Sequence, residues 1–528
     1  MRSIGFKNFR KFKEFPPIAL SPITILVGEN NAGKSTVVKG ILAVSDFLKS
    51  NQGNMSVFRR ESDRRKRMKE FLKSRKFYFN ASYLAHIGTF KRALYNKSDE
   101  GSISFHACLQ NNMDVEIEVL GNKDDNEAIY GNVSKITIKY NNYNITVCFK
   151  LLEDIAELTF SPSSDIEASL VGINNNNTRD RLRKYHEVCR AAVSLSMPLS
   201  DFIYRPNFDL IGTLLSAVES AIDYTISYDE NKKPTYPMWL LDEEEKEKLK
   251  PIKIGEESRN FLKQYISCLN SMRRDEEEVH FRLPGSSFFM HWMPEIEYLY
   301  AHAVTQTIIY SAKDTNDYLS RTIHEFSSDK SVKYKHDFIV KWMQEFGVGK
   351  DYAINSVGGE AHLVKITNTD GECVNLADKG MGSIQLMVLL FRLAISLPES
   401  GRHGSVPGRR GTIVIVEEPE QNLHPMLQSK LADLFYELHT SYGFRFIIET
   451  HSEYLVRRSQ VIVSEKYKTQ EELDAKNPFK VYYFPSEGIP YDMRYSLGGM
   501  FEKKFGDGFM NEAGKLHMAV LSNLKGKN

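Results

Sequence analysis

Cysteine is scarce and unpatterned in this chain. Its five cysteines, Cys108, Cys148, Cys189, Cys268 and Cys373, stand far apart and form neither a CxxC pair nor a Cys/His cluster. That argues against a disulfide framework or a zinc site and leads to the expectation of a reducing, cytoplasmic setting. Excess charge of one sign is also missing, with 69 Lys plus Arg against 68 Asp plus Glu. No global field draws the chain to nucleic acid or membrane, so any basic surface must be local. No apolar run approaches the roughly twenty residues that span a bilayer. The stretch from Met1 to Phe12 is charged and alternating where a secretory segment has an apolar core. A soluble, cytoplasmic protein with no membrane partner is expected. No apolar heptad persists for three or four repeats, so long coiled-coil arms are not supported.

What is present centres on Gly28-Glu29-Asn30-Asn31-Ala32-Gly33-Lys34-Ser35, followed by Thr36. The spacing is that of a phosphate-binding loop. It follows the apolar run Ile23-Thr24-Ile25-Leu26-Val27, which reads as a buried parallel strand, and precedes a stretch with Val38, Ile41, Leu42 and Phe47 near helical spacing. Gly28 and Gly33 let consecutive N–H groups curl round an anion, and the helix start adds partial positive charge. Lys34 would reach the β and γ phosphates of ATP, and the Ser35 hydroxyl would sit on Mg2+.

Ahead of the loop, residues 3–20 read as two strands, with Pro16-Pro17 between Phe15 and Ile18. Beyond it, Arg59 to Lys76 carries ten basic side chains against three acids on a segment of helical character. Its plain reading is a solvated helix face; the sharper one is a contact with DNA or RNA phosphates, which would make binding steeply salt-dependent. From Ser102 to about Leu158 the pattern alternates with period two, with Asn141-Asn142 as a hairpin turn, predicting an antiparallel sheet. Asn174 to Asn177 reads as a loop or boundary. Residues 180–350 are mostly helical in character and are read as a compact helical insertion. Strand signals resume at Tyr352–Val357, Leu363–Ile366 and Cys373–Leu376, with Asp370-Gly371 as a turn.

Three late segments carry chemistry. Lys379-Gly380-Met381-Gly382-Ser383 opens an apolar helix, an anion-binding arrangement that is weak on its own. Thr412 to Val416 reads as a buried strand ending in Glu417-Glu418-Pro419-Glu420, where α/β sheets place ligands. One carboxylate can hold a metal while the next polarises an attacking water. Glu418 is the expected base and Glu420 the alternative. Phe444 to Glu449 is a second strand, one helix later, that should place His451 beside Glu418 and on the same edge as Lys34.

This order of motifs resembles ABC-type ATPases of the SMC and RecF kind. More closely, the chain resembles prokaryotic ATPases related to the overcoming-lysogenization-defect family and the ATPase subunits of anti-phage systems such as AriA, PtuA and GajA. The resemblance rests on Asn8-Phe9-Arg10, residues 28–36, residues 378–385, Glu417 to Glu420 with Leu423-His424-Pro425, Glu449 to Ser452, and Phe505 to Phe509. It implies an α/β fold of the ABC-type P-loop NTPase, with a mixed sheet, an antiparallel β lobe and a helical insertion. The expected domains are a first ATPase lobe at 1–165, the insertion at 166–350 and a second lobe at 351–528. It further implies ATP and Mg2+ as cofactors and a head-to-tail homodimer or larger assembly. Lys34, Ser35, Glu417, Glu418 and His451 would act from one copy, with Ser35 and Glu417 on the metal, while Lys379 to Ser383 closes on the γ-phosphate from the other. Arg10 would touch nucleotide. Which hydroxyl of the glycine signature meets phosphate stays open. After His451 no strand-helix alternation carries spaced Asp-x-Asp acids, so a built-in topoisomerase-primase-type nuclease is not expected and a separately encoded effector is. An SMC/RecF-like ATPase of DNA repair or maintenance is the alternative.

Overall fold

The computed structural model describes residues 1–50, 76–80, 87–109, 113–140, 145–160, 193–198, 296–299, 307–311, 317–328, 333–397 and 412–525. Outside them fall Asn141-Asn142, Asn174 to Asn177, the basic stretch as far as residue 75, and most of 166–350. The chain divides into two compact units: Met1–Ala19 with Lys39–Met293, and Leu20–Val38 with Pro294–Asn528. The phosphate-loop segment therefore groups with the late motifs, about four hundred residues downstream in sequence.

In chain order, β1 (Ser3–Phe9), β2 (Phe12–Ala19) and β3 (Ile23–Gly28) lead into helix α1 (Lys34–Ser50). β4 (Lys76–Tyr78), β5 (Ser102–Cys108), β6 (Met113–Leu120), β7 (Tyr130–Tyr140), β8 (Ile145–Lys150), β9 (Ile155–Phe160) and β10 (Val193–Pro198) follow. With β1 and β2 they form an antiparallel sheet in the first unit, ordered β10-β9-β8-β7-β6-β5-β1-β2, with β4 also on β7. The alternating sequence does its expected work: in β5 and β6 every second residue is buried, so one face carries the core. Phe77 stacks on Phe105 at 5.1 Å and Phe6 on Phe15 at 4.5 Å within that core. β2 runs straight through Pro16-Pro17, which sequence reasoning placed between strand signals. β2 is the last strand in the sheet order, and an edge strand tolerates residues that cannot donate to the ladder.

The second unit continues with β11 (Ile296–Leu299), β12 (Tyr310–Ser311), α2 (Tyr318–Ser328), α3 (Lys333–Glu345), β13 (Asp351–Val357), β14 (Ala361–Thr367), β15 (Cys373–Asn375) and α4 (Met381–Ile395). Then come β16 (Ile413–Glu417), α5 (Pro425–Tyr442), β17 (Arg445–Glu449), α6 (Glu453–Lys466), β18 (Phe479–Phe484) and β19 (Tyr491–Asp492). Its main sheet is ordered β11-β16-β17-β3-β18-β19, parallel except for the last pair. Short strands β10, β11 and β12 lie within the stretch read as mostly helical. Four residues of β11 are too few to show periodicity, and their place is set by pairing with β16 and by Glu297, which meets the half-buried-to-buried guanidinium of Arg392 on α4. Among the described residues no helix is long and apolar enough to cross a membrane.

β3 sits between β17 and β18, and all six of its residues are buried. Gly28 at its end has φ +143°, and a Cβ there would lie 2.1 Å from the Phe484 carbonyl oxygen on β18. Only glycine allows the loop to leave the sheet at so close an approach.

Candidate functional site

The register of the parallel sheet assembles the site. Glu417 pairs with Glu449 across β16 and β17, and Glu449 in turn with Leu26 on β3, two residues before the loop. Three strand ends thus deliver carboxylates, loop and histidine to one edge, where open parallel sheets place ligands. The Thr450 amide donates to the Leu26 carbonyl at 3.1 Å, and the Glu418 amide to the Glu449 carbonyl at 2.7 Å.

Within the loop, Glu29, Asn30 and Asn31 are exposed, Ala32 and Thr36 buried, and Gly33 has φ +106°. The Glu29 amide donates to the Phe484 carbonyl at 3.1 Å, fixing the loop's entry. Lys34 is 3% exposed, and its Nζ donates to the carbonyls of Gly28 at 3.2 Å and Glu29 at 2.9 Å. The ammonium is thereby folded over the loop that would receive phosphate. Ser35 Oγ donates to Glu449 Oε1 at 2.9 Å. Glu449 is 5% exposed, and burial first, then the charge of Glu417, pushes its carboxyl up to about 7.

Glu418 has φ +44°, a left-handed conformation costly for a residue with a side chain and frequent at functional sites. Gln421 Nε2 donates to Glu418 Oε2. Glu418 Oε1 lies 4.0 Å from His451 Nε2. Burial, then the charge of Lys34, lowers the His451 pKa and favours neutral imidazole, with Glu418 opposing. Glu420 turns elsewhere: its carboxylate is 8% exposed and accepts from the His451 amide at 2.6 Å. Glu418 keeps about a third of its side chain accessible.

The glycine signature is held against the same acidic segment. A Cβ on Gly382 would meet the Asn422 carbonyl oxygen at 2.4 Å, whereas one on Gly380 would meet nothing within 4 Å. Gln385 Nε2 donates to the Glu418 carbonyl at 3.4 Å, and Asn422 Nδ2 to Gln385 Oε1 at 3.3 Å. Lys379 Nζ donates to Asn368 Oδ1 at 2.5 Å, and the Ser383 amide to the Gly380 carbonyl at 2.9 Å. Arg10 belongs to the first unit, in the β1–β2 turn at φ +51°, with its guanidinium pKa lowered by burial and by neighbouring Arg92.

A family model described as AAA ATPase domain matches residues 1–456. The chain belongs to the AAA ATPase domain family. No curated protein matches it. Among solved structures this AAA ATPase chain is similar to an Smc head domain with an extended coiled coil, bound to the C-terminal domain of ScpA, from Pyrococcus furiosus; identity is 11%, coverage 99% of each chain and TM-score 0.32. It is also similar to the Smc head domain with a coiled coil and joint from Pyrococcus yayanosii, at 10% identity, covering 94% of this chain and 97% of that one with TM-score 0.33. The SMC head domain from Thermotoga maritima gives 9% identity, 94% and 100% coverage and TM-score 0.30. Those superpositions are too loose to carry a structural argument, and family membership rests on the match over residues 1–456.

AAA ATPase membership supports ATP hydrolysis and makes nucleotide the group to test against the site. The donor set fits a small hard cation: the Ser35 hydroxyl, hydrogen-bonded to the buried Glu449 whose Oε2 has no hydrogen-bond partner, and the Glu417 carboxylate on the residue paired with Glu449 in the sheet. No cluster of three or more His, Cys, Asp or Glu able to hold a metal occurs among the described residues. Mg2+ binds through one or two carboxylates plus substrate phosphates more often than in an all-protein cage. Sequence reasoning assigned no role to Glu449, Gln421 or Gln385. For Glu449 a signal existed, a charged residue closing an apolar run one strand from Glu417, but its meaning needed the register.

Proposed function

We propose that this AAA ATPase is an ATP-hydrolysing subunit in which residues 28–36 cradle the triphosphate, Ser35 and Glu417 hold Mg2+, Glu418 is the general base and His451 faces the γ-phosphate. Bound Mg2+ would neutralise charge on the β and γ phosphates. Lys34 Nζ, which donates to the Gly28 and Glu29 carbonyls, would turn to the phosphate oxygens when nucleotide is bound. Gln421 holds one oxygen of Glu418, so the other is left to accept a proton on the side facing His451. Glu420 fixes the backbone of His451. The observation that carries this reading is the meeting of Ser35 with Glu449 at 2.9 Å and of His451 with Glu418 at 4.0 Å on one sheet edge.

The reading extends to a second copy. Gly380 has open space where its Cβ would be, and its segment starts a helix without a side-chain cap. A partner copy's triphosphate could take those amides, so that hydrolysis depends on head-to-tail association, with Arg10 a further nucleotide contact. We assign the output to control of a separately encoded effector in a cytoplasmic anti-phage defence complex, on the strength of the motif resemblance. The basic composition of residues 59–76 favours the second reading, an SMC/RecF-like DNA-maintenance ATPase.

Glu418→Gln is the test. ATP turnover should fall about 10²–10⁴-fold, with ATP still bound and an ATP-dependent dimer accumulating in light scattering. Undiminished turnover would overturn the base assignment. Purified protein with ATP should leave DNA uncut, and cleavage would refute a separate effector. ATP turnover stimulated by DNA, and lost on charge reversal within residues 59–76, would favour the second reading.

A further inference from the structure

We propose that Glu449 is a positioning residue for the divalent cation: it accepts the hydrogen bond of the Ser35 hydroxyl and so turns a lone pair of Ser35 Oγ toward the metal. The inference rests on the nucleotide reading above. A serine hydroxyl has one O–H and two acceptor lone pairs. When such a hydroxyl ligates a cation it keeps its proton, and in a buried site that proton needs an acceptor. Glu449 Oε1 already occupies that place at 2.9 Å.

Two further observations point the same way. Glu449 is 95% withdrawn from solvent at 5% exposure, yet its Oε2 has no hydrogen-bond partner. A carboxylate oxygen so placed is costly unless a positive group arrives beside it. The charge of Lys34 favours the ionised carboxylate, but Lys34 Nζ donates to the carbonyls of Gly28 and Glu29 and makes no hydrogen bond to Oε2. A strand end here has no need of a carboxylate: Phe446, Ile447 and Ile448 on the same strand are all buried and apolar. The sheet register puts Glu417, the proposed metal carboxylate, directly across from Glu449. Glu417 and Glu449 thus divide the work, one on the metal and one behind its serine ligand.

The experiment reads binding separately from turnover. Full-length wild type, Glu449→Gln and Glu449→Ala are titrated with MgCl2 at fixed fluorescent ATP analogue, and analogue binding is measured again in EDTA. Groups behind a metal ligand typically change metal affinity by 10–100-fold, so the half-saturating Mg2+ of Glu449→Ala should rise about 10–100-fold. Glu449→Gln should rise less, since an amide oxygen still accepts from Ser35. Binding in EDTA should be unchanged in both. Half-saturation within about twofold of wild type in both folded variants, well short of that range, overturns the inference. So does an equal loss of EDTA binding, the mark of a merely structural role. If wild type itself shows no Mg2+-dependent nucleotide binding, the nucleotide reading falls first; if it does and the variants match it, only the role of Glu449 falls.

Discussion

The two units bury different things. The first closes its antiparallel sheet over aromatic side chains, with Phe9 and Phe77 both against Phe105 at 5.0 and 5.1 Å, and among its described residues the buried polar groups are few, Asn8, Ser45 and Thr137. The second buries Lys34, Glu420, Glu449, Thr450 and Ser452, all at or just past the ends of parallel strands. Parallel strands point their carboxyl ends one way, so amides and charges gather at one edge; antiparallel strands alternate and build no such edge. Apolar burial stabilises at about 25 cal/mol per Å², whereas each buried charge costs unless paired. The second unit also has a large apolar core, with Trp342, Phe391, Phe435 and Phe446 among its buried side chains, so the contrast lies in the polar groups gathered at its sheet edge.

The sharpest way to break that contrast is Phe105→Ala. Phe105 is 1% exposed and touches two other rings, so its loss should cost about 3–5 kcal/mol by transfer and cavity terms. Urea unfolding measures the loss, and nucleotide affinity of the remaining folded protein should not change. An affinity that falls in step with stability would show that the contrast is wrong.

Phe105 was legible in advance because period-two alternation survives in sequence, as did the phosphate loop, the strand before it and the acidic pair after Val416. What could not be read depends on pairing. Glu449 is one more residue at the end of Phe446-Ile447-Ile448 until β17 is set between β16 and β3. Gln421 and Gln385 become partners of Glu418 only once the chain turns at Glu418 and Asn422, with φ +44° and +59°. Pro16-Pro17 looked like an interruption because edge position is a property of the sheet and not of the dipeptide.

A smaller effect sharpens the contrast inside the second unit. Gly382→Ala would drive a Cβ to 2.4 Å from the Asn422 carbonyl oxygen, an overpacking that should cost about 1–3 kcal/mol even after the helix gains from alanine. Gly380→Ala meets open space and loses only the N-cap preference of glycine over alanine, so stability should fall by about 0.5–1 kcal/mol while ATP turnover falls further. Equal stability losses in thermal unfolding would show that Gly380 too serves packing, and would remove the structural support for a partner's phosphate at that glycine.

The smallest expected effect is one of pH, and it separates groups within the second unit by sign. Burial holds the carboxyls of Glu449 and Glu420 above their ordinary range, so the stability they give is full below the unfolded carboxylate pKa and is lost as pH rises, through about 7 for Glu449. Burial and His324, whose Nδ1 lies 3.2 Å from His362 Nε2, hold His362 below its ordinary value; Ser327 Oγ is the other polar neighbour, also at 3.2 Å. Stability from His362 is therefore lost as pH falls below about 6.5, where the unfolded chain takes up the proton first. In EDTA, Glu449→Gln should gain stability over wild type at pH 8 compared with pH 5.5 by at most about 2 kcal/mol. His362→Gln should show its relative gain at the acid end instead. Two variants whose differences from wild type run parallel across that pH range would mean that neither group is titrating differently in the folded chain, and that the polar edge and the histidine pair cost the fold no more than the phenylalanine core does.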